Sequence, residues 1–212
     1  MNDLREYLGE TDYNPTLDLV RSVYTTDTEI LQGIIQLHNA GQPFDCDPSF
    51  SKGVMWKELT EPRLKFDIEP QRADVQEANS NQLPLASNSI ESIVFDPPFM
   101  FGNHGQQKNY IMTTRFTRFD SWQELEDMYQ DSLQEFHRIL KPKGIVAFKC
   151  QDHTDSKTVM THCYVWKWAE EIGFYAKDIF IKEYKGGRMY NPAQTQRHAR
   201  KFHCYWWVFE KK

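Results

Sequence analysis

Apolar positions recur at helical spacing in three stretches of this chain and gather into short runs between them. The first stretch is Ile30, Leu31, Ile34, Ile35 and His38, preceded by Thr26-Asp27-Thr28-Glu29. There the Thr26 hydroxyl can cap the helix start while Glu29 reaches back, and Gly41 is placed to end the helix. His38 reads as a helix-surface residue. The second stretch, Trp122, Leu125, Met128, Tyr129, Leu133, Phe136 and Leu140, follows the same capping box at Ser121 and Glu124 and predicts core packing. The third runs from about Val159 to Ile172 and ends at Gly173. Strands are expected up to about Cys46, over Arg63 to Ile68, over Ser92 to Phe95, and over Ile145 to Phe148 after a Lys141-Pro142-Lys143-Gly144 turn. Two more are expected near Ala176 to Ile181 and Phe202 to Phe209. The last alternates little and is heavily aromatic, as a buried central strand would be. Residues 1–22 are polar and read as an N-terminal arm or lid, and residues 100–120 as a mobile loop.

Composition narrows the class. With 212 residues, 40% of them hydrophobic, the chain can bury one sizeable core, so a single domain over 1–212 is expected. No apolar run is long enough for a membrane span, and no signal-peptide pattern opens the sequence. Cys46, Cys150, Cys163 and Cys204 lie far apart, with no C-x-x-C pair and no His spacing suited to zinc. They read as reduced core residues of a cytoplasmic protein, and no metal is expected.

The formal charge of −5 hides an asymmetry. Residues 183–212 carry Lys185, Arg188, Arg197, Arg200, Lys201, Lys211 and Lys212 against Glu183 and Glu210, a balance of +5, so the rest sums to −10. Residues 101–119 add Lys108, Arg115 and Arg118 with no acid. Two basic segments on an acidic body suit local phosphate contacts. Lys108, Arg115, Arg118, Arg188, Arg197, Arg200 and Lys201 are therefore the candidate nucleic-acid-binding residues.

The chemistry concentrates in Asp96-Pro97-Pro98-Phe99, directly after the Ser92–Phe95 run. A carboxylate, carbonyls locked by prolines and an aromatic face suit a flat ring bearing an amino group. The block resembles the (Asp/Asn/Ser)-Pro-Pro-(Tyr/Phe/Trp) signature of methyltransferases that modify exocyclic amino groups of adenine or cytosine. Upstream, Asp47-Pro48-Ser49-Phe50-Ser51-Lys52-Gly53 is similar to that family's cofactor loop, Asp-Pro-Phe-x-Gly-Ser-Gly. Asp47, Pro48 and Gly53 keep the register, while Ser51 and Lys52 replace a glycine and a serine. Leu83-Pro84-Leu85 through Ile90 resembles the lead-in to the fourth strand of methyltransferases that use S-adenosyl-L-methionine (SAM).

The resemblance implies a Rossmann-like α/β fold of class I methyltransferase type, a doubly wound, mixed, seven-stranded sheet with helices on both faces. It implies SAM as cofactor, with Thr26, Asp47, Pro48, Ser51, Gly53, Asp67 and Asn79 at its site. Asp67, with Glu69 as the alternative, would take the ribose hydroxyls and Asn79 would face the adenine. Asp96, Pro97, Pro98 and Phe99 would form the catalytic block. The implied activity is methyl transfer to an exocyclic amino group in DNA, adenine N6 ahead of cytosine N4. RNA adenine, a protein glutamine amide and a non-catalytic nucleic-acid-binding module remain alternatives. Without a target-recognition insertion, specificity could come from a partner subunit or a homodimer.

Overall fold

The computed structural model describes residues 19–101, 119–154, 157–186, 198–199 and 201–212. In chain order the elements are β1 (Val23–Tyr24), α1 (Asp27–His38), β2 (Cys46–Asp47), a 3-10 turn (Val54–Trp56), β3 (Leu64–Asp67), β4 (Gln76–Glu77) and β5 (Ile90–Phe95). Then follow α2 (Trp122–Ile139), β6 (Leu140–Cys150), β7 (His153–Thr154), β8 (Thr158–Val159), α3 (Thr161–Ile172), β9 (Phe174–Glu183) and β10 (His203–Lys211). Eight strands form one sheet in the order β1-β9-β10-β6-β5-β2-β3-β4, and β7 pairs with β8 in a separate ribbon. Among the described residues of this sheet, only β10 runs antiparallel to its neighbours, β6 and β9. The six strands placed from the sequence are all present, and β4 completes the expected seven. An eighth, β1, lies at the edge beside β9 and has two residues, one of them exposed, so no alternation could reveal it.

Alternate side chains of the central strands feed two layers. Ile93, Phe95, Val146 and Phe148 pack with Tyr129, Leu133 and Phe136 of α2 and Val165 of α3. Val94, Ile145 and Ala147 pack with Ile30, Leu31 and Ile34 of α1 and with Trp206 and Val208 of β10. The Phe95 ring meets Phe136 at 4.9 Å and Phe148 at 5.2 Å, both edge-on, which fixes the end of β5 just before Asp96. Among the described residues no helix is long and apolar enough to cross a membrane.

The capping box at α1 forms as expected, with Glu29 N–H on the Thr26 hydroxyl at 3.2 Å and Thr26 N–H on Glu29 at 3.1 Å. At α2 the Ser121 hydroxyl accepts Glu124 N–H, but the Glu124 carboxylate reaches Asp120 N–H instead of closing the box. His38 is not a plain surface residue: its Nε2 lies 3.0 Å from Asp178 on β9, with the side chain 10% exposed. The expected turn at 141–144 is a bulge inside β6, because the register jumps from Ile90↔Leu140 to Ser92↔Ile145. Residues 19–22 of the expected arm are tied in, since Ile181 N–H donates to Ser22 O at 2.7 Å. Val20 sits where a Cβ on Gly33 would meet it at 2.8 Å, so α1 needs glycine there. Residues 1–18 lie outside the described residues.

One departure shapes the site. Parallel strands are usually joined by helices. Here the β2–β3 connection holds only the 3-10 turn, and the β3–β4 and β4–β5 connections hold no helix.

Candidate active site

The loop after β2 is built around a buried acid. Asp47 is 1% exposed. Its Oδ1 accepts Ser49 N–H at 2.8 Å and the Ser49 hydroxyl at 3.0 Å, and its Oδ2 accepts Trp56 Nε1–H at 2.8 Å. Burial pushes its pKa up to about 7 against these bonds, with a further push from the Asp96 charge. Further along, Ser51 takes a positive φ of 50°, uncommon for a residue with a Cβ, and its N–H donates to Asp67 Oδ2 at 2.8 Å. Gly53 has φ 70°, and a Cβ there would meet the Phe50 ring at 2.7 Å. That position therefore admits only glycine without strain.

The loop after β5 is bolted to the first. Asp96 N–H donates to the Ser49 hydroxyl at 2.9 Å. Pro97 is buried, and the Pro98 carbonyl accepts the hydroxyl of Tyr129, itself fully buried, at 3.1 Å. That carbonyl is thus held by one donor from inside the core. Phe99 is half-buried.

A buried lysine holds the Asp96 carboxylate. Lys149 lies on β6, where Phe148 pairs with Phe95, so its side chain reaches the residue after β5. Its Nζ is 2.9 Å from Asp96 Oδ2 and 3.1 Å from Asp27 Oδ1, with the side chain 6% exposed. Burial opposes its charge, yet the Asp96 and Asp27 carboxylates outweigh that and hold its pKa above the ordinary lysine range. Asp27, in the first turn of α1, also binds Lys182 Nζ and accepts Trp206 Nε1–H at 3.0 Å. Burial works against the Asp27 charge, but these partners leave its pKa below the usual carboxylate value. A cleft of about 380 Å³ opens over this chain of charges, lined by Thr25–Thr28, Val54, Met55, Asp96 and Lys182.

No family model matches the chain, and no curated protein matches it. Solved structures do. TrmN from Thermus thermophilus is similar with a TM-score of 0.50 at 16% identity, over 87% of this chain and 49% of that one. A SAM-dependent methyltransferase from Methanosarcina mazei gives 0.48 at 12% identity, over 83% and 96%. TTHA0409, a provisionally assigned DNA modification methylase of Thermus thermophilus solved with SAM, gives 0.44 at 15% identity, over 63% and 53%. The chain spans about half the length of TrmN and of TTHA0409. The fold is the Rossmann-like class I methyltransferase fold.

In this methyltransferase fold Thr26 stands at the start of α1, Asp47, Pro48, Ser51 and Gly53 fall at or after the end of β2, Asp67 ends β3, Asn79 follows β4, and Asp96 to Phe99 follow β5. Thr26 and Asp96 line one cleft. Asp47 faces inward and shapes the loop from within, Pro48 follows it in the same turn, and Gly53 leads into the 3-10 turn. Asp67 spends one oxygen on Ser51 N–H and the other on Glu69 N–H at 2.9 Å. Asn79 is exposed just beyond β4 and accepts Asn81 N–H at 3.3 Å. Lys201 is half-buried near Asp152, whose charge it helps to stabilise. Lys108, Arg115, Arg118, Arg188, Arg197 and Arg200 lie outside the described residues.

Sequence reasoning missed Lys149, Asp27 and Lys182, because β6, α1 and β9 meet only in the fold. It also missed a second cluster, in which Asp152 binds His162 Nδ1 at 2.6 Å and His162 Nε2 lies 3.3 Å from the Cys163 sulfur. Cys163 is exposed, which corrects the reading of all four cysteines as core; Cys46, Cys150 and Cys204 are buried. Among the described residues no group of three or more His, Cys, Asp or Glu side chains could hold a metal ion.

Proposed function

We propose that this chain, acting as one catalytic domain, transfers a methyl group from SAM to an exocyclic amino group of a base in DNA, adenine N6 in particular. The observation that carries the reading is the placement of Asp96. It closes a central strand, is locked from both sides by Ser49 and Lys149, and faces a cleft that it shares with the start of α1.

The cleft fits SAM by the chemistry of its lining. The helix start and Lys182 suit a carboxylate, and Val54 and Met55 offer apolar contact. Thr26, Pro48, Ser51, Gly53, Asp67 and Asn79 would hold the cofactor, and Asp47 would act by fixing the loop. Bound SAM supplies an activated methyl group. The acceptor nitrogen is a poor nucleophile because its lone pair is delocalised into the ring. Asp96 and the Pro97 carbonyl would accept its two hydrogens and turn the lone pair out of the ring plane. Pro98 sets the turn. Phe99 would stack on a base drawn out of the duplex, offsetting part of the cost of unstacking. Lys201, with the basic residues of 101–119 and 183–200, would track phosphates, with a partner subunit or second copy adding target choice.

A labelled-methyl assay on DNA, RNA and protein tests this reading. Transfer to DNA that collapses more than about a hundredfold in Asp96→Ala, with SAM affinity little changed, is the expected result. Phe99→Ala should raise the acceptor constant more on paired than on single-stranded DNA. A folded Asp96→Ala protein of near wild-type rate would refute the mechanism, and transfer to RNA or protein alone would move the substrate class.

A further inference from the structure

The chain of charges behind Asp96 has a direction. It begins at Lys182 on β9, crosses Asp27 at the start of α1 and Lys149 on β6, and ends on the acid at the tip of β5. Signs alternate along it, so the buried Lys149 stands between two partly exposed carboxylates and is never unpaired, which is the condition for keeping a charge inside a fold. Lys149 touches only one oxygen of Asp96, Oδ2, at 2.9 Å. The Asp96 backbone is fixed separately by Ser49. The carboxylate plane is therefore set by Lys149, while the position of its Cα is set by the two loops. Nothing in the Asp-Pro-Pro-Phe block itself could orient the carboxylate, because the prolines fix backbone and not side chain.

We propose that Lys149 is a positioning residue for methyl transfer: it occupies Oδ2 of Asp96 and thereby presents Oδ1 to the amino group of the acceptor. This inference rests on the activity proposed above. It makes three elements distant in sequence, β6, α1 and β9, part of the catalytic geometry without any of them touching the acceptor. Asp27 anchors Lys149 from behind, and its bonds to Trp206 Nε1 and Lys182 keep that anchor from following Lys149. The Trp206 ring lies 5.2 Å from Lys149 Nζ and closes the remaining side. An ammonium held on three sides is a fixed reference for a carboxylate that must be aimed. Misdirection of a reacting group by about 1 Å lowers turnover by roughly a hundredfold.

The test compares Lys149→Met, which keeps bulk and removes charge, with Lys149→Arg, which keeps charge. Steady-state methylation, SAM calorimetry and thermal melting are measured on each. Lys149→Met should lower kcat by about a hundredfold while the acceptor KM and the SAM Kd stay within about threefold, and Lys149→Arg should recover part of kcat. Because Lys149→Met leaves Asp27 and Asp96 facing each other, the charge-balanced Lys149→Met/Asp27→Asn variant, with kcat and SAM Kd read against Asp27→Asn alone, serves if the single variant does not fold. A folded variant lacking Lys149 with kcat within about threefold of wild type overturns the inference. So does a SAM Kd that rises in step with the loss of kcat, since the lesion would then lie in the cofactor cleft. Failure of both variants to fold would make Lys149 a structural charge and overturns it too. A wild-type protein that methylates nothing removes the proposed activity and this inference together, whereas an active wild type with an unimpaired variant removes the inference alone.

Discussion

Ser49→Ala deletes one oxygen that serves both loops of the site. The hydroxyl accepts Asp96 N–H at 2.9 Å and donates to Asp47 Oδ1 at 3.0 Å. Loss of the first bond leaves a partly buried N–H without its acceptor, a cost of about 1–3 kcal/mol at any pH. Loss of the second matters most when Asp47 is ionised, since bonds to charged groups contribute about 1.5–3 kcal/mol. Burial pushes the Asp47 pKa up to about 7, so the acid is largely protonated at pH 5.5 and largely ionised at pH 8.5. The folded state then holds a proton that the unfolded chain has lost between about pH 4 and 7. Wild-type stability from this group therefore falls as pH rises through that window. Removing the hydroxyl takes away a bond that favours the ionised form, so the Asp47 pKa should rise further and the window of falling stability should extend to higher pH. For a chain of this size 1 kcal/mol corresponds to about 2–4 °C. The pH-dependent part is the charged bond less the neutral one, about 1–1.5 kcal/mol, so the gap in melting temperature between variant and wild type should widen by about 2–6 °C from pH 5.5 to 8.5, read by calorimetry at both values. A gap equal at the two pH values, or narrower at pH 8.5, would refute the coupling of Ser49 to Asp47.

Gly53→Ala should lower stability by about 1–3 kcal/mol and weaken SAM binding, because it places a Cβ against the Phe50 ring at a positive φ; melting and calorimetry check both. Tyr129→Phe removes the donor to the Pro98 carbonyl, so stability should fall by about 1 kcal/mol and kcat should drop with little change in SAM affinity. Lys201→Ala should weaken DNA binding about equally for all sequences and reduce the salt slope by roughly one; an unchanged slope would place Lys201 outside the phosphate contacts.

What the sequence made legible was local. Capping at Thr26, the apolar stripe of α2, the stop at Gly173 and the aromatic run of β10 each follow from neighbours within a few residues, and the structure contains all four. The Asp-Pro-Pro-Phe block could be read as a site because its chemistry is contiguous. Lys149 could not. In the sequence it is one polar residue in the apolar run ending at Cys150, and its meaning depends on Asp27 and Asp96, residues far from it along the chain. The strands β1 and β4, of two residues each, escaped for a related reason: a pair of residues has no period, and only the neighbouring strand makes it a strand. The second capping box failed at its acidic end because Asp120 N–H competes with Ser121 N–H for the Glu124 carboxylate.

The missing crossover helices explain why the acids around the loop after β2 are bonded as they are. In a doubly wound fold the helix after the first strand normally fixes the ligand loop, because the loop runs straight into a rigid element. Here β2 is followed only by a 3-10 turn, whose three residues cannot impose that order. Side chains replace the helix. Asp47 ties Ser49 to Trp56 across the loop, and Asp67 reaches over from β3 to hold Ser51 N–H. The Trp56 backbone N–H donates to Gly53 O at 3.1 Å and closes the 3-10 turn, while its indole N–H on Asp47 ties that turn back to the end of β2. Two acids that a family resemblance assigns to the cofactor are thereby committed to backbone and indole donors. The consequence is quantitative for Asp67: each of its oxygens already accepts one N–H and keeps one lone-pair direction for a ribose hydroxyl. Asp67→Asn would therefore replace one of those acceptors by a donor facing a backbone N–H. It should disorder the loop as well as weaken SAM binding, so the variant's melting temperature and SAM Kd should move together, while Asn79→Ala should move the SAM Kd alone.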